Sequence, residues 1–239
     1  LGDVYKRQNM FCESAFFGVV ISLLAYELGM LLKKKFGLPI FNPLLISIAV
    51  VIVFLAVFDI DYQNYNDGAK YLSYLLTPAT VCLAIPLYEQ MEALKKNIKA
   101  ILAGILSGVL TSLTVVLALA LIFNLNHKMY VTLLPKSITT AIGMGVSEEL
   151  GGAVTITVAV IIITGVLGNM LAETLCKLFH IEEPIAKGIS IGSASHAIGT
   201  AKAMEMGDVE GAMSSLSIAV AGILTLSLIH ISEPTRPEP

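Results

Sequence analysis

Leu134-Pro135-Lys136-Ser137-Ile138-Thr139-Thr140 sets one lysine beside three hydroxyl side chains, inside a largely apolar stretch from Tyr130 to Val146. A lysine at mid-membrane costs about 2.5–3.5 kcal/mol on insertion scales, so it must face protein or a water-filled cavity. Proline removes a backbone donor and frees an upstream carbonyl, and serine and threonine can satisfy the freed groups. An ammonium, hydroxyls and unpaired amides at one depth suit a small anion. The rival reading is a lysine that snorkels to the membrane surface from a shallow re-entrant segment.

A second constellation runs from Gly188 to Ala201 and contains Ser190, Gly192, Ser193, Ser195, His196, Gly199 and Thr200. Small residues there permit a close helix contact or an unwound turn. Exposed amides at such a break bind carboxylate or phosphate, helped by the dipole of the half-helix. His196 is suited to bond a substrate or to carry a proton near neutral pH. The alternative is a Ser/His-rich packing seam at a tight helix crossing. A hydrolase built on Ser195 and His196 is disfavoured, because adjacent helical residues do not face each other and no orienting carboxylate is evident.

Other single residues point to structure. Glu27 lies close enough to Lys33 to reach water, and Asn169 and Glu173 share a helix face as a packing pair. Asn42-Pro43 starts a helix. Cys12, Cys82 and Cys176 have neither disulfide-framework nor zinc spacing, so no metal or cofactor is expected.

The elements that carry these residues must cross a membrane. Of 239 residues, 56% are hydrophobic and 14% charged, and the mean hydropathy is +0.81. Soluble domains are about a quarter charged. Fifteen basic residues against 18 acidic leave a net charge of −3, so no nucleic-acid surface is expected. With 7% aromatics and no Trp, a girdled β-barrel is disfavoured. An all-α, polytopic integral membrane protein remains.

At about 20 apolar residues per span, the first runs from Ser14 to Leu32 and ends at Lys33, Lys34 and Lys35. The second covers Leu44 to Phe58, and an acidic Tyr/Asn-rich loop follows from Asp59 to Asp67. Ala69 to Leu87 contains Pro78, Thr80 and Pro86, which predict a broken or kinked span. After Lys95, Lys96 and Lys99 comes Ile101 to Phe123, the cleanest span. Tyr130 to Val146 crosses or re-enters, Val154 to Leu175 is an ordinary span, and Ile185 to Met204 and Gly211 to Thr225 complete the series. That makes about eight membrane segments, two or three of them interrupted. Placing both lysine clusters inside puts the N-terminus outside. Leu75 to Thr80 echoes Leu133 to Ser137, a pointer to inverted-repeat transporter architecture that two unrelated kinked helices would also produce.

Both ends read as foreign. Back-translated, residues 1–8 give a DNA string whose reverse complement encodes Leu226 to Glu233, and the string resembles a transposon-end sequencing adapter. Arg7 and Arg236 are the only arginines, and both lie in these ends. Residues 1–8 and 226–239 are therefore expected to be translated adapter, and 9–225 the membrane domain.

Four motifs occur in one order: Asn42 to Leu45, Pro78 to Gln90, Leu134 to Ser137, and Ser193 to Ala201. Together with Gly211, Ala212 and Ser214 to Leu216, they resemble the LrgB/CidB/YohK family of membrane proteins over about Met10 to Thr225. The resemblance implies antiholin-like control of murein hydrolase activity and lysis. It also implies transport of monocarboxylates such as pyruvate or glycolate, as in the plastidial glycolate/glycerate transporter. It further implies a holin-like LrgA partner, broken-helix transporter architecture, and a multi-pass place in the bacterial inner membrane. A homo-oligomer is compatible with such a carrier. The family usually has Thr-Thr-Pro-Ile after the Lys-Ser pair, whereas Ala141 stands here at the proline position.

The candidate substrate contacts are Lys136, Ser137, Thr139, Thr140, Ser193, Ser195, His196, Gly199 and Thr200. The candidate helix breaks are Pro78, Thr80, Pro86, Pro135 and Gly192. The expected function is a non-enzymatic carrier of small monocarboxylates. The alternative is an interaction protein that restrains an LrgA-type partner without transport of its own.

Overall fold

The computed structural model describes residues 16–37 and 41–232, and its regular structure there is α-helical throughout. Residues 1–8, Met10, Cys12 and the end of the suspected C-terminal adapter, 233–239, lie outside the described residues. The helices fall into two compact units that divide after Cys82.

The first unit holds α1 (Phe17–Phe36), α2 (Pro43–Val57), α3 (Tyr62–Ser73) and α4 (Leu76–Cys82). Gly37 ends α1 in the left-handed region at φ 63°, with its N–H on the Lys33 carbonyl. Lys33, Lys34 and Lys35 occupy the last turn, where cations suit the helix dipole. Asn42 caps α2: its Oδ1 accepts from the Leu44 and Leu45 N–H groups at 2.9 and 3.3 Å, and Pro43 takes the first helical position. α1 packs on α2 and α3. A Cβ on Gly18 would strike the backbone at Tyr65 and Ala69, so these chains touch directly.

Two expectations change here. The Asp59–Asp67 loop becomes helical from Tyr62, because Tyr65, Gly68 and Ala69 recur at helical spacing and pack against Gly18 and Ser22. The Ala69–Leu87 span is no single helix but the end of α3, then α4, then α5 (Ala84–Glu89). Pro78 and Pro86 each stand third in their helix, where the missing N–H is not needed, so the breaks fall just upstream of the prolines. Thr80 lies within α4, and its side chain is outside the description.

The second unit contains α5, α6 (Met91–Ile122), α7 (His127–Leu133), α8 (Thr140–Glu149), α9 (Val154–Leu178), α10 (Pro184–Met206) and α11 (Asp208–Ser232). α10 is central and packs on α11, α9 and α6. Ile101, Ile105 and Val109 of α6 form one buried stripe at a spacing of four, against Ile189 of α10 and Ala212, Met213 and Ala221 of α11. Gly188 and Gly192 let α10 approach α11 at Glu210 and Ser214.

Among the described residues, α6, α9 and Asp208–Ile231 of α11 are long and apolar enough to cross a membrane, and Pro43–Val57 is a shorter apolar helix. Leu102, Leu106, Leu110, Leu117 and Leu121 are exposed along α6, as a lipid-facing helix requires. The protein is an all-helical, polytopic membrane protein. Between them, α7 and α8 interrupt the Tyr130–Val146 stretch. At seven and ten residues each, neither alone reaches across a hydrocarbon core of about 30 Å.

Candidate functional site

Pro135 lies in the turn that joins α7 to α8, and this turn carries Lys136 and Ser137. Lys136 N–H bonds the Leu133 carbonyl at 3.2 Å and Ile138 N–H bonds the Pro135 carbonyl at 3.3 Å, two tight turns in succession. Thr139 is extended (φ −54°, ψ 133°) and starts α8, with Thr140 as its first residue. The Lys136 Nζ donates to Ser137 Oγ at 2.8 Å, and Ser137 Oγ lies 3.2 Å from Ser112 Oγ on α6. Ser137 is buried and Lys136 half-buried. Among the described residues, the Lys136 ammonium has no carboxylate partner.

Lys136 and Ser137 line a cleft of about 830 Å³ that runs between α6 and α10. From Asn97 to Val115 the α6 wall extends about 27 Å. It is nearly smooth where Ala100, Gly104, Gly108 and Ser112 recur every fourth residue. Ile185, Ile189, Ser190 and Ser193 form the facing wall. Ser193 Oγ donates to the Ile189 carbonyl at 2.7 Å. Glu183 lines the same cleft.

Of the second constellation, only Ser193 among the candidate contacts reaches this cleft. The others point elsewhere, because successive helical residues are turned by about 100°. Ser195 faces Gly168 of α9, and the His196 ring lies over Gly165 with Nε2 3.0 Å from the Ile161 carbonyl. Gly199 packs on Ser195 and Ile191. Thr200 Oγ1 lies 3.1 Å from the His196 carbonyl and 2.7 Å from Ser214 Oγ. Thr139 and Thr140 frame the α7–α8 turn but do not line the cleft.

The break in α10 falls at His196 (φ 43°, ψ −143°), whereas Gly192 stays helical. Gly192 serves the close approach instead: a Cβ there would strike the Ser214 backbone. Asn169 Nδ2 donates to the Ile198 carbonyl at 2.7 Å, supplying a polar partner just past the break. With its ring nitrogen on Ile161, His196 is not placed to activate Ser195.

The sequence reading missed the α6 wall. Its signal is Ala100, Gly104, Gly108 and Ser112, small residues at a spacing of four within an apolar span.

The LrgB-like family model matches residues 22–233. Antiholin-like LrgB proteins of Bacillus mycoides (strain KBAB4), Bacillus cereus (strain B4264) and Bacillus anthracis (strain CDC 684 / NRRL 3495) are similar to this chain. Each is 40% identical over 220 residues, covering 92% of this chain and 96% of the relative. No solved structure matches the chain. With both the family model and its relatives spanning most of its length, the chain belongs to the LrgB-like family.

Proposed function

We propose that the protein carries small monocarboxylates of the pyruvate or glycolate type across the bacterial cell membrane. The observation that supports this is the Lys136 ammonium. It lies in a cleft, bonded to the Ser137 hydroxyl, with no carboxylate partner among the described residues. A carboxylate would accept from Lys136, with Ser137, Ser112 and Ser193 offering further hydroxyls. Thr139 and Thr140 hold the turn. Ser195, His196 and Thr200 keep α10 seated on α9 and α11, and Gly199 packs within α10 on Ser195 and Ile191, so that Ser193 faces the cleft. Uptake of labelled pyruvate and glycolate by reconstituted protein tests the reading.

A second reading rests on the name of the relatives, antiholin-like proteins. In it the chain takes part in controlling murein hydrolase activity and lysis by restraining a holin-like LrgA protein in the same membrane. The two coexist if carboxylate flux is the signal. Preserved lysis control in cells, together with no uptake of any of several monocarboxylates, favours restraint alone. In either reading the N-terminus lies outside, with the Lys33–Lys35 and Lys95–Lys99 clusters in the cytoplasm.

A further inference from the structure

The Lys136 cleft is larger than pyruvate or glycolate needs. At about 830 Å³ it falls among pockets that hold drug-sized ligands, about 300–1,000 Å³. A two- or three-carbon acid seated on Lys136 fills one end of it.

The 3.2 Å contact between the Ser137 and Ser112 hydroxyls sets the Lys136 turn at the level of Ser112. From there the cleft continues along α6 to Ala100, about 18 Å away. Its floor is where the two helices meet. A Cβ on Gly104 would stand 3.3 Å from Ile189, and one on Gly108 would stand 2.9 Å from Ser193. The rims carry small exposed side chains, Ser107 on α6 and Ala186, Ser190 and Ala194 on α10.

This track offers little to a polar ligand. Ser107 Oγ donates to the Gly104 carbonyl at 2.8 Å and Ser190 Oγ to the Lys187 carbonyl at 2.9 Å, so both hydroxyl hydrogens turn back onto their own helices. Lys136 stands at one end and Glu183 at the other, near Ile185, and among the described residues no other charge lines the cleft. A cation, an apolar track and then an anion match a ligand with one carboxylate and an uncharged aliphatic tail. A lipid chain or a helix of another copy laid there would press apolar atoms on the ammonium, which is costly without an anion.

We propose that the cleft is built for amphipathic monocarboxylates, straight-chain acids in the hexanoate-to-octanoate range. The carboxylate sits on Lys136, and the tail lies over Gly108 and Gly104 between the Ser107 and Ser190 rims. This deepens the transport reading above and rests on it for the carboxylate end. Pyruvate and glycolate use that end alone.

The test uses the whole protein in proteoliposomes, with labelled pyruvate taken up against unlabelled competitors at known free concentrations. Each methylene buried is worth about a fourfold gain in affinity, and less in a groove open on one side. Octanoate should therefore halve uptake at about one tenth of the butyrate concentration or below, with hexanoate between them. Octanamide, which has no charge for Lys136, and octanedioate, whose second carboxylate meets the apolar track and Glu183, should compete no better than butyrate. Ser107→Leu puts bulk into the track at an exposed position away from the carboxylate. It should keep pyruvate uptake and lose the advantage of octanoate over butyrate. Competition independent of chain length, octanamide as effective as octanoate, or an octanoate advantage that survives Ser107→Leu overturns the proposal and leaves the groove to lipid or to a second copy. A second measurement needs no transport: labelled octanoate binding to the protein in lipid nanodiscs, with empty discs subtracted. Binding that falls about tenfold or more in both Lys136→Gln and Ser107→Leu supports the proposal, and no binding overturns it. A wild type that takes up no pyruvate yet binds octanoate in this way defeats the transport reading and leaves the ligand class standing.

Discussion

His196 Nε2 lies 3.0 Å from the Ile161 carbonyl oxygen, across a seam in which Gly165 leaves room for the ring. A carbonyl only accepts, so Nε2 carries the hydrogen in this bond. The same residue has φ 43° and ψ −143°, a conformation that costs a non-glycine residue about 1–3 kcal/mol. The bond to α9 and the Thr200 hydroxyl on the His196 carbonyl hold it there. The break in α10 is thus fixed by tertiary contacts.

His196→Asn should therefore act on stability. Asparagine tolerates positive φ, but it cannot fill the space over Gly165. The expected loss is about 1–3 kcal/mol in thermal unfolding in detergent, with an unaltered pH profile of the surviving uptake. A shifted pH profile at full stability would make His196 a proton carrier.

Thr157 ties the broken region together. Its Oγ1 lies 2.9 Å from the Thr132 carbonyl and 2.7 Å from Ser147 Oγ, joining α9 to both α7 and α8. Thr157→Val keeps the shape and leaves buried polar groups short of a partner, at a cost of about 1–3 kcal/mol. Since α7 and α8 carry the Lys136 turn, the apparent substrate affinity should weaken as well. An unchanged melting temperature would contradict this network.

Orientation is checked with cysteine and an impermeant thiol reagent. In intact cells Asn64→Cys should be labelled and Lys96→Cys should not, because lysine-rich short loops stay in the cytoplasm. The opposite pattern reverses the protein in the membrane.

The long apolar helices were legible because a bilayer demands unbroken apolar runs. The expected spans Leu44–Phe58 and Val154–Leu175 correspond to Pro43–Val57 and Val154–Leu178. Lys95, Lys96 and Lys99 mark the edge of an apolar run but not of a helix, since α6 begins at Met91 and a helix can continue into water. The polar α3 was hidden because its fold depends on Gly18 and Gly68, contacts invisible in local composition. Gly192 looked like a hinge, since glycine is the residue freest to leave helical geometry. Its lack of a side chain is used against α11, and the strain falls on His196. Lys136 and Ser137 stood out by type and spacing, and the structure sets both on one cleft.

The most direct measurement is uptake of labelled pyruvate and glycolate into proteoliposomes by the wild type and by Lys136→Gln. Removing a costly intramembrane charge should leave Lys136→Gln inserted and folded. A hydrogen bond to a charged group is worth about 1.5–3 kcal/mol, so transport efficiency should fall about ten- to a hundredfold. Saturable wild-type uptake with that loss in Lys136→Gln is the predicted result. Lys136→Gln with wild-type rate and affinity would contradict the account and leave Lys136 as a lysine beside a turn.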